Sequence, residues 1–560
     1  MATTETTAPV VTANRQPTPT VRINNSDGTR PPWLDWVGAT DHKRIGVLFI
    51  YAAFIFFILG GVEALLLRIQ LGAPNNTFLT PEAYNELFTL HGITMIFLFA
   101  LPMLGGLATY VVPLMIGARN FAFPRLQSLS FWLLIAGGVV LYGSLLYKPP
   151  GSGFTALPPL TSNTDFPSSG VDAYMSGLFL VSLSLLCSAI NFAVTIHNMR
   201  APGMGWSRLP LFAWAVHIAS YVAILVMPVA IAAVTMLLTD RQFDTNFFNT
   251  TDGGDPLLWQ YLLWFFGHPS IYVLTLPALG ILGEVVAVFS RKRVFGYAAM
   301  VTSLVLIASF GVMAYGFEMF NAPVTTGSRI FFMVAMLAVG VPLAIKFFNW
   351  IATMWGGAVE FKPPMLFALG SMAMLAIGAL SGMFLAIFPL GWQVSDSYFY
   401  VAHLHYVLLG GAGFAILAGI YYWFPKMSGR LASEGLAKLS FWLMLVGFNV
   451  TYLAQFSLGL SGMPNRIYTY TDRSDLGWYA HNLISTIGAL VLALGICITL
   501  ANLVLSQRRG LRAGADPWRA NTLEWFVQSP PPPHNFDEIP SVRDSSALQD
   551  IRKRVRHAEQ

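Results

Sequence analysis

The chain has 560 residues, of which 55% are hydrophobic and only 11% are charged. This composition, with a mean hydropathy of +0.59, excludes an ordinary soluble protein of this length and indicates an integral membrane protein. The formal net charge of +5 does not call for a nucleic-acid partner, because basic loops beside anionic membrane lipid account for it.

Apolar stretches of roughly 20 residues predict transmembrane helices. The sequence contains about twelve, so we expect an all-α membrane protein built as a bundle of about twelve transmembrane helices. The predicted spans lie near 45–67, 88–116, 130–147, 174–196, 211–238, 256–288, 297–318, 330–350, 364–388, 398–424, 437–460 and 481–506.

Three regions follow from this pattern. We expect a cytoplasmic tail over 1–40, a membrane domain over 41–506 and a cytoplasmic, Pro-rich and basic tail over 507–560. The first 40 residues lack the apolar core of a signal peptide. Loops that would then face inward carry eleven Lys and Arg residues against six in the outward loops. Both termini are therefore predicted on the cytoplasmic side of a cell membrane of bacterial type.

Ionisable side chains within the spans are the first candidates for function. Histidines occur there at His91, His217, His268, His403 and His405. With the N-terminus inside, three inward-running spans and the outward-running seventh span bring histidines and Glu318 into the outer half of the membrane. A charged side chain near hydrocarbon is costly, so Glu318 either reaches the headgroup layer or has a partner.

Two short motifs sharpen this prediction. In YVAHLHYVL (400–408), His403 and His405 point about 200° apart on a regular helix and cannot bind the same metal. Either they are two polar helix contacts or they serve two flanking cofactors, for which haem is the natural candidate. In WFFGHPSIY (264–272), His268 and Tyr272 share one helix face. Lys346, within the eighth span, either snorkels inward or lies on a proton path.

From about Trp33 to Pro533 the chain resembles subunit I of the haem–copper oxidase family. The resemblance is carried by YNELFTLHGITMIF, VPLMIGARNFAFPR, AINFAVTIHNMRAPGM, WFFGHPSIY, VAHLHYVL, YYWFPKMSGR and LGLSGMP, which follow the family's order. It implies that His91 and His405 are the axial ligands of a low-spin haem and His403 that of a high-spin haem. It also implies that His268 is the first histidine of the copper site and that Tyr272 is covalently joined to it.

The resemblance implies further residues, cofactors and partners. Arg68 corresponds to an arginine near the low-spin haem formyl group, Arg466 to a propionate-binding arginine, Asp396 to a residue of an outer magnesium site and Lys346 to the lysine of one proton channel. The cofactors are two haems, of type a, and a second metal, which is copper or non-haem iron. The partners are a subunit II-like electron-entry subunit, a subunit III, membrane lipid, and cytochrome c or quinol as electron donor.

The chain departs from the family at the second metal. Phe317 and Glu318 stand where the family has two adjacent histidines. Phenylalanine cannot bind a metal, and a carboxylate beside one imidazole suits iron better than copper. The alternative is that the second metal is absent and Glu318 reaches outward.

The proton routes depart as well. Asn120 and Ser270 replace an aspartate and a glutamate of one channel, and amides and hydroxyls of ordinary pKa cannot relay protons as carboxylates do. Leu343 and Gly283 replace a threonine and a serine on the Lys346 route. We therefore expect impaired or no proton pumping.

Three functions are consistent with this sequence. The first is a terminal oxidase that reduces dioxygen to water, with Tyr272, Glu318 and Lys346 as catalytic residues. The second is a nitric oxide reductase whose non-haem iron is bound by His268 and Glu318. The third is a haem protein that lacks the second metal.

Overall fold

The computed structural model describes residues 34–163, 165–473, 475–544 and 546–559. In this part of the chain, twelve helices are long and apolar enough to cross a membrane, which confirms the predicted all-α fold. Numbered α1 to α12, they are His42–Gln70, Pro81–Ile116, Pro124–Tyr147, Ser169–Asn198, Leu211–Gln242, Pro256–Phe289, Tyr297–Met319, Thr326–Met354, Pro363–Ala386, Tyr398–Ser428, Glu434–Leu460 and Trp478–Arg509. Most of the predicted N-terminal tail, residues 1–33, lies outside the described residues.

Local capping sets where the helices begin and end. The α2 helix begins at Pro81, and the side chain of Thr80 accepts a hydrogen bond from the backbone N–H of Ala83. It ends at Gly117, whose φ of 77° lies in the left-handed region that glycine adopts without strain. Gly429 ends α10 in the same way, with a φ of 71°. Because α2 begins before the predicted residue 88, His91 lies well inside it.

Two helices contain a π-helical segment that begins within three residues after a candidate ligand. In α2 the segment is Thr94–Ala100, and in α10 it is Tyr406–Gly413. A π-helical turn holds one residue more than an α-helical turn and is frequent at functional sites. His91 therefore lies three residues before a change of helix winding, and His405 lies directly before one.

Glycines allow the helices around the histidines to approach each other closely. A Cβ built on Gly459 of α11 would lie only 2.0 Å from the backbone nitrogen of Phe399 in α10. Backbone atoms cannot rotate away as a side chain can, so this contact requires glycine. It fixes the first turns of α10, which carry the candidate ligands, against α11.

The chain after α12 packs against one end of the bundle. We call residues 510–544 the C-terminal segment. The Asn535 side chain accepts a hydrogen bond from Lys43 Nζ at 2.9 Å and is also bonded to the ring of His42. Lys426 Nζ donates to the carbonyl of Val527 at 2.6 Å, and Trp525 is only 1% exposed. The Pro-rich segment thus lies on the bundle itself.

Candidate haem and second-metal site

His91 of α2 and His405 of α10 face each other in the interior of the bundle. Their ring centroids are 6.4 Å apart and their planes differ by 12°. His91 Nδ1 is 2.9 Å from the carbonyl oxygen of Gly60, and His405 Nδ1 is 2.7 Å from that of Val401. A proton on each Nδ1 satisfies these carbonyls and leaves each Nε2 with a free lone pair.

This pair fits two axial ligands of one metal. A metal–imidazole bond is about 2 Å long, so rings that bind one metal from opposite sides have centroids about 6 Å apart. The ring of Tyr452 stacks on His405 at 4.4 Å and supports it from α11. The residues present therefore suit a six-coordinate haem iron, with a carbonyl oxygen orienting each imidazole.

His403 contacts a different helix. Its Nδ1 lies 3.0 Å from the Ser381 hydroxyl of α9, and its side chain is buried. A Cβ on Gly382 would lie 2.9 Å from His403 Cε1, so the missing side chain makes room for the imidazole. The histidines at i and i+2 thus contact different helices, as their spacing predicts. His403 could therefore hold a different group from the one between His91 and His405.

His268 of α6 lies beside Tyr272 and Glu318. Its Nδ1 is 3.9 Å from Glu318 Oε1, and its ring centroid is 5.1 Å from that of Tyr272. In the described part of the chain, His268 Nε2 is buried and has no hydrogen-bond partner. A Cβ on Gly311 would lie 2.6 Å from the Tyr272 ring, so this glycine makes room for the tyrosine.

Glu318 has a partner inside the protein. The α-helical part of α7 ends at Met313, and Glu318 follows in a 3-10 turn over Tyr315–Met319. Its carboxylate is 14% exposed, and Oε2 accepts a hydrogen bond from the Tyr400 hydroxyl at 2.6 Å. Tyr400 was not among the predicted site residues. The available signal was its position three residues before His403, which places it on the same helix face.

The donor atoms at this second site do not match a copper site with three imidazoles. His268 supplies one imidazole and Glu318 one carboxylate, while the ring of Phe317 lies 5.9 Å from that of His268. Among the described residues, no group of three or more His, Cys, Asp or Glu side chains could hold a metal ion. One imidazole nitrogen and one carboxylate oxygen are donor types that iron accepts.

Two predicted arginines lie near the ends of membrane-spanning helices. Arg68 Nη2 donates to the backbone oxygen of Asn482 at 3.1 Å and to Thr486 Oγ1 at 3.2 Å. Arg466 has a positive φ of 57°, and its guanidinium carbon would lie 3.2 Å from a Cβ on Gly153. The Arg466 guanidinium could pair with a carboxylate such as a haem propionate.

Asp396 and Lys346 do not belong to the cluster around His268. The Asp396 carboxylate is exposed and accepts a hydrogen bond from Asn321 Nδ2 at 3.2 Å. Lys346 is fully buried, with Nζ 5.7 Å from the centroid of the Trp350 ring. Its side chain therefore does not extend to the surface of the bundle, which argues against snorkelling.

A group of neutral polar side chains joins α2, α3 and α4. Gln127 Nε2 donates to Thr109 Oγ1 at 3.0 Å, and the hydroxyls of Ser130 and Ser188 are 2.6 Å apart. Ser270 Oγ donates to the carbonyl of Phe266 at 2.6 Å and is thereby engaged within its own helix. These amides and hydroxyls supply hydrogen bonds but no group with the proton affinity of a relay carboxylate.

Comparisons with known proteins agree with this architecture. The family model described as "Cytochrome C and Quinol oxidase polypeptide I" matches residues 44–491. The cytochrome c oxidase subunit 1 of Bacillus sp. (strain PS3) is 44% identical over 516 residues, covering 92% of this chain and 83% of the relative. The subunit 1 of Bacillus subtilis (strain 168) is 43% identical over 525 residues, covering 93% and 84%.

A solved structure shares the fold. It belongs to a heme-copper terminal oxidase dimer determined by cryo-EM, and it matches with a TM-score of 0.73 at 16% sequence identity. The match covers 84% of this chain and 85% of the other.

Proposed function

Because the chain belongs to the cytochrome c and quinol oxidase polypeptide I family and is an oxidoreductase of the haem–copper oxidase superfamily, we propose that it reduces dioxygen to water. As the catalytic subunit of a terminal oxidase, it works in a membrane complex with other oxidase subunits. The observation that carries the proposal is the facing pair His91 and His405, with His403 on another side of the same helix.

The proposal gives each histidine a role. His91 and His405 would hold a low-spin haem, and His403 a high-spin haem, both of type a. When bound, these haems supply one-electron transfer and the reducing electrons for the acceptor. The carbonyls of Gly60 and Val401 hold two imidazoles in one tautomer. The Ser381 hydroxyl orients the third.

Further parts of the proposal concern the setting of the subunit. Electrons would come from cytochrome c or quinol through a subunit II-like partner, with a subunit III beside it. The membrane would be a cell membrane, with both termini on the cytoplasmic side. Proton pumping would be impaired or absent, because Asn120 and Ser270 cannot act as relay carboxylates.

Nitric oxide reduction is the second candidate, and Glu318 is the observation that favours it. Its Oε1 lies 3.9 Å from His268 Nδ1, so the two residues can present one oxygen and one nitrogen to a non-haem iron. In this reaction two NO molecules, two electrons and two protons yield N2O and water. It requires no proton pump, which fits the neutral residues of the altered channel.

The first experiment is metal analysis of the purified complex by mass spectrometry, reported per two haems and corrected for copper in any other subunit. One copper in this subunit supports dioxygen reduction at a copper site. One iron beyond the two haem irons, without copper, supports the site formed by His268 and Glu318. If neither copper nor additional iron is found, the result supports the third function, a haem protein without a second metal.

Glu318→Gln tests the carboxylate directly. The amide is nearly isosteric but is a much weaker metal ligand and cannot donate a proton as a carboxylic acid does. We expect turnover with NO or dioxygen to fall by at least about 100-fold, the usual effect of removing a general acid or base, while the haem absorption bands stay unchanged. Full activity in this variant would rule out both roles for Glu318.

A further inference from the structure

We propose that Tyr400 is a positioning residue that holds Glu318 with one carboxylate oxygen directed toward His268. This inference rests on the proposed second-metal site of His268 and Glu318, and it adds the residue that would set its geometry. The chemical class of the ligand is a divalent cation of intermediate hardness, such as ferrous iron, that accepts one imidazole and one carboxylate.

The two carboxylate oxygens of Glu318 have different neighbours. Oε2 accepts from the Tyr400 hydroxyl at 2.6 Å, a length expected for a strong bond to a carboxylate. Oε1 is the atom that faces His268 Nδ1, at 3.9 Å. Tyr400 therefore favours a carboxylate that offers one oxygen rather than two to a cation.

The distance between His268 Nδ1 and Glu318 Oε1 would allow one metal ion to bind both atoms. Metal bonds to imidazole nitrogen and carboxylate oxygen are each about 2.0 to 2.2 Å long, so two donors to one ion are at most about 4 Å apart. The 3.9 Å between His268 Nδ1 and Glu318 Oε1 lies within that limit. An ion between these atoms therefore requires only a small side-chain movement.

Tyr400 also connects this site to the second haem site. It lies one helical turn before His403, and the two ring centroids are 6.3 Å apart. The helix that would hold the high-spin haem thus also orients Glu318. One helix would thus position residues of both sites.

The Tyr400 hydroxyl lies in apolar surroundings. Tyr400 packs against an apolar cluster that contains Phe317, Phe332 and Phe399. A hydroxyl in such surroundings costs free energy unless it forms a hydrogen bond, and phenylalanine would fill nearly the same volume. The bond to Glu318 explains why the position carries a tyrosine.

Tyr400→Phe in the purified complete complex tests the inference. The matched control is Tyr406→Phe, because Tyr406 lies in the same helix but donates to Asn449 Oδ1 at 2.8 Å. The complexes are treated with a chelator and titrated anaerobically with ferrous iron. Removing a residue that orients a ligand usually lowers metal affinity by about 10- to 100-fold. We expect that loss in Tyr400→Phe, unchanged affinity in Tyr406→Phe, and unchanged haem absorption in both.

The outcomes separate this inference from the proposed function. Iron binding that is lost in Glu318→Gln but equal in Tyr400→Phe and wild type would overturn the role of Tyr400 and leave the metal site standing. If wild type takes up no iron, the metal site fails, and infrared spectroscopy then tests Tyr400 without any metal. The carboxylate band that Glu318→Gln removes should shift in Tyr400→Phe. An unshifted band would disprove the positioning contact.

Discussion

His403 and His405 show how the spacing of two residues divides a helix between two sites. His405 faces His91 at a ring separation of 6.4 Å, while His403 is bonded to Ser381 of another helix. An insertion of one residue between them would turn one imidazole by about 100° and remove it from its site. The spacing is therefore as important as the residue type.

Substitution of each histidine in turn should affect a different haem. We expect His405→Leu to remove the low-spin haem band and to preserve carbon monoxide binding at the high-spin haem. His403→Leu should do the opposite, because its imidazole is the candidate ligand on the other side. Reduced-minus-oxidised and carbon monoxide difference spectra measure both effects. Loss of the same band in both variants would contradict the assignment.

The sequence predicted most of the candidate site but not its internal pairing. The histidines, Tyr272 and Glu318 could be identified because their residue types are rare in apolar spans. The spacing of Tyr400 and His403 places both on one helix face, but the partner of Tyr400, Glu318, is 82 residues away and a tyrosine in a membrane helix is ordinary. Only packing of the helices reveals that these two side chains meet.

At the scale of helices, close glycine contacts hold α10 in place. Gly459→Ala would place a methyl group 2.0 Å from the backbone nitrogen of Phe399, so the two helices must separate. We expect a loss of about 1 to 3 kcal/mol, typical of overpacking. The α10 residues His403 and His405 should shift with their helix.

Gly61→Ala is the matched control for that substitution. Gly61 also lies in a membrane helix, but among the described residues a Cβ there would meet no atom of another helix within 4 Å. Thermal unfolding followed by haem absorbance should show a lower midpoint for Gly459→Ala and an unchanged or higher midpoint for Gly61→Ala. Equal midpoints would show that the close contact carries no strain.

Helix number was predictable, whereas helix boundaries were not. Apolar stretches predict about twelve spans, and twelve are found among the described residues. The α2 helix begins at Pro81 rather than near 88, because its first two turns contain polar residues that hydropathy excludes but capping by Thr80 accommodates. Similarly, the predicted span 297–318 ends in a 3-10 turn, which no apolar periodicity indicates.

At the scale of the whole molecule, the C-terminal segment is anchored by a buried acid. Glu524 is fully buried, and its Oε1 accepts hydrogen bonds from Thr522 at 2.8 Å and from Trp423 of α10 at 3.3 Å. The carboxylate of Glu284 in α6 lies within electrostatic range. Burial raises the pKa of Glu524 from 4.5 to about 7. Docking of this segment should therefore depend on pH.

The direction in which stability changes with pH follows from how many protons the folded and unfolded states bind. An acid with a higher pKa in the folded protein binds more protons when folded, so its burial costs stability as pH rises from 4.5 to about 7, and the full cost persists above that. Glu524→Gln removes this cost. We expect it to stabilise the docked segment at pH 8 by up to about 3 kcal/mol and to have little effect near pH 4.5.

Protection of the C-terminal segment from limited proteolysis, measured across this pH range, checks the prediction. The exposed Glu538 supplies the control Glu538→Gln, which changes the charge of the same segment without altering a buried site. Equal protection of both variants at pH 8 would mean that Glu524 does not control docking.

The π-helical segments of α2 and α10 affect how sequences of related chains should be aligned. Each segment absorbs one additional residue without turning the helix beyond it. A helical wheel that starts at His91 and ignores Thr94–Ala100 therefore assigns every later residue of α2 to a face about 100° from its true one. The same error follows Tyr406–Gly413. A related chain that shows a one-residue gap at either segment would therefore lack the additional residue of the π-helical turn. The histidines before the gap would still face each other.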